Sequence, residues 1–190
     1  MKRNLLQFIF ISILSVSVYG QKASFVNIDA GLLRSKGDFF KLYNGIVDVG
    51  AGYHISILKE FYGGLHFNAG FLNYKNTPAR TNLFRPKISL LYTIHLSPRI
   101  AIDPLLGIGY TFVRITNDEY AYATTQSGLN YSGKIKMRWK STGKLDYYLF
   151  GSYDFIYLDK DESFTLLNSF RQIQLLTIGL GVNIKSGIYE

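Results

Sequence analysis

The chain has 190 residues, a net charge of +8, abundant Gly (18), Tyr (15) and Phe (14), and no cysteine. That length suits one domain. The lack of cysteine excludes disulfide staples, thiolate chemistry, a Cys-based metal site and a lipid-modified N-terminal cysteine. Charged residues make up only 18% of the chain, and beyond the first twenty positions no run is long and apolar enough for a transmembrane helix.

The opening MKRNLLQFIFISILSVSVYG has a basic start at Lys2 and Arg3, an apolar core from Leu5 to Val18, and small or turn-compatible residues at its end. This is the pattern of a secretory signal peptide, with cleavage expected after Gly20 and a mature domain over residues 21–190.

Eight two-faced segments follow in chain order. SFVNIDAGLL sets Val26, Ile28, Ala30 and Leu32 against Asn27 and Asp29. LYNGIVDVGAGYHISI sets Val47, Val49, Ala51, Tyr53 and Ile55 against Asp48, Gly50, Gly52 and His54. FYGGLHFNAGFLNY opposes Leu65, Phe67, Ala69 and Phe71 to His66 and Asn68. LFRPKISLLYTIHL opposes Phe84, Ile88, Leu90, Tyr92 and Ile94 to Arg85, Lys87, Ser89, Thr93 and His95. RIAIDPLLGIGYTFV opposes Ile102, Leu106, Ile108, Tyr110 and Phe112 to Asp103, Gly107, Gly109 and Thr111, and Pro104 predicts a bulge there. LNYSGKIKMRWK alternates Tyr131, Ile135, Met137 and Trp139 with Ser132, Lys134, Lys136, Arg138 and Lys140. LDYYLFGSYDFIYL sets Tyr147, Leu149, Tyr153 and Phe155 against Asp146, Ser152 and Asp154. QLLTIGLGVNIK sets Leu176, Ile178, Leu180 and Val182 against Thr177, Gly179, Gly181 and Asn183. Strict period-two alternation of this kind is the signature of β-strands with two chemically opposed faces.

The connections alternate as well. Tight turns are expected around Leu58-Lys59, Ser97-Pro98-Arg99 and Ser141-Lys144, and longer polar loops over 75–82, 116–128 and 159–171. Short turns at one end and long loops at the other are the plan of outer-membrane barrels.

Three features point the oily face outward. Glycine pairs on the polar face (50/52, 107/109, 179/181) suit a crowded barrel interior. Aromatics end the oily face on both rims: Tyr43, Phe71, Phe84, Phe112, Tyr131 and Tyr157 toward the long loops, Tyr53, Phe61, Trp139 and Tyr147 toward the short turns. A lysine turned to lipid near the midplane costs about 2–4 kcal/mol, so Lys134 and Lys136 belong inside. The predicted fold is an all-β, eight-stranded antiparallel up-and-down transmembrane β-barrel. Its lumen would carry a polar network of Asp29, Asp48, His54, His66, Arg85, Lys87, His95, Asp103, Lys134, Lys136, Arg138, Asp146 and Asp154. Local register suggests Lys140 opposite Asp146, and Asp154 opposite Ser132 and diagonal to Lys134.

On these segments, and on the last strand LLTIGLGVNIK, the mature chain resembles the small eight-stranded outer-membrane barrels typified by the outer membrane protein A transmembrane domain. The resemblance implies the outer membrane of a Gram-negative bacterium, contact with outer-membrane lipid, insertion by the barrel-assembly machinery, and a structural or surface-interaction role through extracellular loops that meet an extracellular or envelope protein. No catalytic residue, cofactor, metal or nucleic acid is expected. His95-Leu96-Ser97 resembles the His-x-Ser of lipid A deacylase barrels, but the pair falls on the lumen face beside a short turn, with no evident carboxylate to orient the histidine. His54 and His66 supply two ligands where a metal needs three or four. The alternative fold is a soluble, exported, lipocalin-like barrel with the oily face inward around an apolar ligand; a lipid A-modifying enzyme is the other alternative.

Overall fold

The computed structural model describes residues 23–36, 43–74, 79–117, 122–159 and 171–186. The signal-peptide region and the segments 37–42, 75–78, 118–121 and 160–170 lie outside the described residues.

Eight long strands form: β1 (Ser24–Lys36), β2 (Tyr43–Leu58), β3 (Phe61–Tyr74), β4 (Ala79–Tyr92, resumed briefly at Ile94–His95), β5 (Ile100–Asn117), β6 (Tyr122–Trp139), β7 (Leu145–Leu158) and β8 (Gln172–Ser186). Each pairs antiparallel with the next. β1 also pairs with β8, from Ser24↔Ser186 to Lys36↔Gln174. The sheet is therefore a closed up-and-down barrel, and closure gives each of these strands a neighbour on both sides.

Alternation sorts the side chains as the sequence predicts. Leu32, Leu65, Ile88, Leu106, Ile135, Ile178 and Leu180 stand outward and exposed, whereas Asn27, Asp29, Asp48, Arg85, Lys136 and Asp154 are buried. The polar faces turn inward, which is the reverse of the lipocalin-like arrangement. The short turns fall where expected. Leu58 pairs with Phe61 across Lys59-Glu60, and Trp139 pairs with Ile100 on β5 and with Tyr147 on β7.

Three expectations need correction. The predicted 75–82 loop is strand from Ala79 on, where Ala79 through Asn82 pair with Asn117 through Arg114. Pro104 makes no bulge. Asp103↔Lys136, Pro104↔Ile135 and Leu105↔Lys134 run in unbroken register on the β6 side, and Leu91↔Leu105 and Ile94↔Ile102 keep one register on the β4 side. Thr93 N–H donates to Glu60 O on the β3 side, 2.9 Å away, so its neighbour Tyr92 faces β5, where Pro104 has no N–H to offer. The ladder skips there instead of bulging, and β4 breaks at Thr93.

The predicted 116–128 loop is also mostly strand, since Thr116↔Ala123 through Phe112↔Ser127 are paired. From Thr124 to Gly128 this segment has no large apolar residue on either face, so period-two alternation could not mark a ladder that extends past the apolar belt.

Candidate functional site

The barrel interior is layered. At the long-loop end Leu33, Leu72, Leu83, Val113, Ile156, Leu158, Ile173 and Leu175 pack into a fully buried apolar plug. A smaller apolar cluster of Phe25, Leu91 and Leu105, with Tyr62 against it, sits toward the short turns. The charged groups occupy the space around and between these clusters.

The central group joins β4 to β7 and β2. Asp154 Oδ2 accepts from Arg85 Nη1 at 2.9 Å, and its Oδ1 accepts from Lys87 Nζ at 2.7 Å. Asn130 Nδ2 adds a third donor at 3.2 Å. The other arm of Arg85 donates to Asp48, which also accepts from Asn68 Nδ2 at 3.4 Å. Arg85 has no exposed surface, and its planar fork suits bridging two carboxylates.

A second group centres on Asp29. Its Oδ2 accepts from Lys134 Nζ at 2.6 Å and from the Tyr148 hydroxyl at 2.9 Å. His66 Nε2 lies 3.9 Å from the same oxygen. A third group lies nearer the short turns, where Arg138 binds Asp103 through Nε at 2.7 Å and Nη2 at 3.0 Å. Arg138 Nη1 reaches Asp146 at 3.1 Å, and Lys185 Nζ lies 2.8 Å from the other Asp146 oxygen.

Lys136 differs from these. It is fully buried, and its Nζ has no hydrogen-bond partner among the described residues. It sits 4.7 Å from the Tyr148 ring centroid and 6.0 Å from that of Phe25, in reach of cation–π attraction, and its ladder partner is Asp103.

Several local expectations are revised by these contacts. Ser132 does lie opposite Asp154, but Asp154 reaches Arg85 and Lys87 across the barrel, and Lys134 goes to Asp29. Asp146 takes Arg138 and Lys185, while Lys140 bonds His95. His95 lies at the barrel mouth and not in the enclosed lumen: its side chain is 46% exposed at the short-turn end and meets Glu60 Oε2 at 2.9 Å. His95 pairs with the buried Ala101 and keeps its facing, but this last pair of the strand stands at the open mouth of the barrel, which exposes it. A carboxylate thus does accompany this histidine, yet Ser97 Oγ caps the turn, accepting from Ile100 N–H at 3.0 Å and Arg99 N–H at 3.3 Å.

His54 and His66 come together with ring centroids 6.4 Å apart. His54 Nε2 bonds Ser89 Oγ at 3.0 Å, and no group of three or more metal-ligating side chains occurs among the described residues. Asn27, Asn68 and Asn130 lie on the predicted polar faces but outside the predicted network, and Tyr148 is assigned to no face by the sequence. Each has the lumen parity of a neighbouring aspartate or lysine, which is the signal that would have found them.

No model of a known protein family matches the chain, and no curated protein is similar to it in sequence. Solved structures do match. Neisserial surface protein A is similar at 14% identity and a TM-score of 0.62, over 86% of this chain and 99% of that one. A major outer membrane protein of Thermus thermophilus is similar at 10% identity and a TM-score of 0.59, over 86% of this chain and 99% of that one. The attachment invasion locus protein Ail of Yersinia pestis is similar at 13% identity and a TM-score of 0.55, over 88% of this chain and 100% of that one. A further Ail structure contains the heparin analogue sucrose octasulfate. The layered, inward-charged cylinder of this chain has the fold of the small eight-stranded outer-membrane barrels.

Proposed function

We propose that this chain is an integral outer-membrane barrel of a Gram-negative bacterium, exported by residues 1–20 and inserted by the barrel-assembly machinery. The observation that carries the reading is the outer wall. On β5 the outward residues from Ile102 to Phe112 are Ile, Pro, Leu, Ile, Tyr and Phe, with Tyr110 the one polar handle, near the Phe112 rim, and Leu106 is 70% exposed. At roughly 3.3 Å per residue and a tilt of about 40°, that row covers most of an apolar band about 25 Å tall. Exposed aromatics bracket it, with Trp139 and Tyr147 paired at one level and Phe112 and Tyr157 at the other rim. A wall this apolar in water would drive aggregation.

The interior serves as a rigid strut. Ion pairs crossing it and the leucine-rich plug fill the cylinder, so the barrel acts as a scaffold and not as a conduit. The working surface is then the long-loop end, where loops on a rigid scaffold carry contacts to an extracellular or envelope partner. The sulfated sugar in a structure of the similarly folded Ail makes an anionic surface polymer a reasonable partner class to test. The role is structural or adhesive, not catalytic.

Spin labels placed singly at Leu90, Ile108 and Ile178 in reconstituted vesicles test the orientation. Broadening by oxygen and not by a water-soluble paramagnet is expected; the opposite pattern would remove the membrane reading.

A further inference from the structure

The β4–β5 seam is unusual. Its ladder lapses twice, at Arg85-Pro86 and at Tyr92-Thr93, while the register on either side is unchanged. Both lapses coincide with a proline, Pro86 opposite Tyr110 and Pro104 opposite Tyr92. Pro86 and Tyr92 share the strand parity that faces β5, so both missing N–H groups belong to this one seam.

Pro86 also projects outward, and its compact ring stands between the larger Phe84 and Ile88. A groove of about 790 Å³ opens over it on the outer wall, with Phe67, Ile88, Ile108, Tyr110 and Leu129 among its lining residues. It is shallow and open to the surroundings, and its lining is almost wholly apolar.

Directly along the same two strands, toward the long loops, the outward residues change character. Beyond Phe84 come Asn82 and Arg80; beyond Phe112 come Arg114 and Thr116. Arg114 pairs with Asn82 on β4 and with Thr125 on β6, and Arg80 pairs with Thr116 and with Asn73. The two arginines are therefore diagonal neighbours on one face of adjacent strands. Both are exposed, and among the described residues neither is in an ion pair. The carboxylate of Asp159, two strands away, is taken by the Tyr110 hydroxyl.

We infer that this seam is a binding site for a lipid of the surrounding leaflet with a net anionic phosphate headgroup, with the acyl chains in the Pro86 groove and the phosphate held by Arg80 and Arg114. Guanidinium forks match phosphate oxygens in paired hydrogen bonds, and two cations just above an apolar groove match the headgroup-over-chain layout of such a lipid. Asn82, Thr116 and Thr125 add neutral donors to the headgroup. The inference rests on the membrane reading above.

Native mass spectrometry of the detergent-purified chain, incubated with lipid A, phosphatidylcholine or inorganic phosphate, tests it. Lipid A adducts that survive dilution are expected, with little retention of phosphatidylcholine or free phosphate. The double variant Arg80→Gln/Arg114→Gln should lower lipid A retention by about tenfold or more, in line with loss of charge-assisted bonds. Ala51→Trp, which fills the groove without altering charge, should lower it as well. Retention of lipid A unchanged by the double arginine variant overturns the proposal. Equal retention of free phosphate overturns the lipid assignment and leaves an anion site. Reconstitution of every variant into pure phosphatidylcholine vesicles, followed by flotation, separates the two readings: a chain that does not float refutes the membrane assignment itself.

Discussion

Asp154 on β7 and Arg85 on β4 meet at 2.9 Å through the middle of the barrel, although the two strands are not neighbours in the sheet. Such a contact ties opposite walls of the cylinder. With Lys87 and Asp48 it forms a group in which two cations answer two carboxylates.

That balance makes the first prediction. Asp154→Asn strands Lys87 and halves the partners of Arg85, and breaking a buried pair from one side costs about 3–5 kcal/mol. The double variant Asp154→Asn/Lys87→Met keeps the Arg85–Asp48 pair and restores neutrality, so it should cost less than the single change. Urea titration of vesicle-reconstituted protein, followed by Trp139 fluorescence, gives both values. Simple additivity of the two substitutions would contradict the coupling.

Lys136 makes the second. Its Nζ has aromatic rings but no hydrogen-bond partner among the described residues. Lys136→Met therefore removes an expensive buried charge while keeping its stem, and the unfolding midpoint should stay level or rise. Lys134→Met, by contrast, leaves Asp29 without its 2.6 Å partner and should lose about 3–5 kcal/mol. Equal losses for the two lysines in the same titration would show that Lys136 is held as firmly as its neighbour.

Comparing these contacts with the sequence separates what alternation can and cannot encode. The inward side of Lys134, Lys136 and Asp154 is legible, because period two decides facing and one oily face leaves little choice. The local register of β6 against β7 is legible too, since a short turn at 141–144 fixes Ser132 opposite Asp154. Partner choice is not. Asp154 meets β4 and Asp29 meets β6, across a lumen whose cross-section depends on how all eight strands stagger. The plug at the long-loop end escaped for a different reason. Leu33, Leu83 and Leu175 lie next to other apolar residues, so near strand ends the alternation blurs. His95 has the predicted facing, opposite the buried Ala101, yet stands at the open mouth, because alternation encodes facing and not depth.

A third prediction concerns the outer wall. Leu106, 70% exposed, lies near the middle of the apolar row, and Leu96, 59% exposed, lies at the short-turn end. Leu106→Lys should reduce folding free energy in bilayers by about 2–4 kcal/mol, and Leu96→Lys by only about 0–1. A wall facing water would tolerate both equally, so matched urea midpoints for the two variants would count against lipid contact.

Two glycines give the last. A Cβ on Gly181 would collide with the ring of Tyr148, whose hydroxyl donates to Asp29 at 2.9 Å. A Cβ on Gly133, which lies on β6 with the opposite facing, would meet nothing within 4 Å. Gly181→Val must push Tyr148 off Asp29 or open the β7–β8 pair, and overpacking of this kind costs about 1–3 kcal/mol. Gly133→Val adds a β-branched side chain to an open outer face and should be neutral or stabilising. Because the two substitutions are chemically identical, a difference in their unfolding midpoints reports only which side of the wall each residue occupies. Were Gly133→Val the more damaging, the inside and outside of the barrel would have to be exchanged.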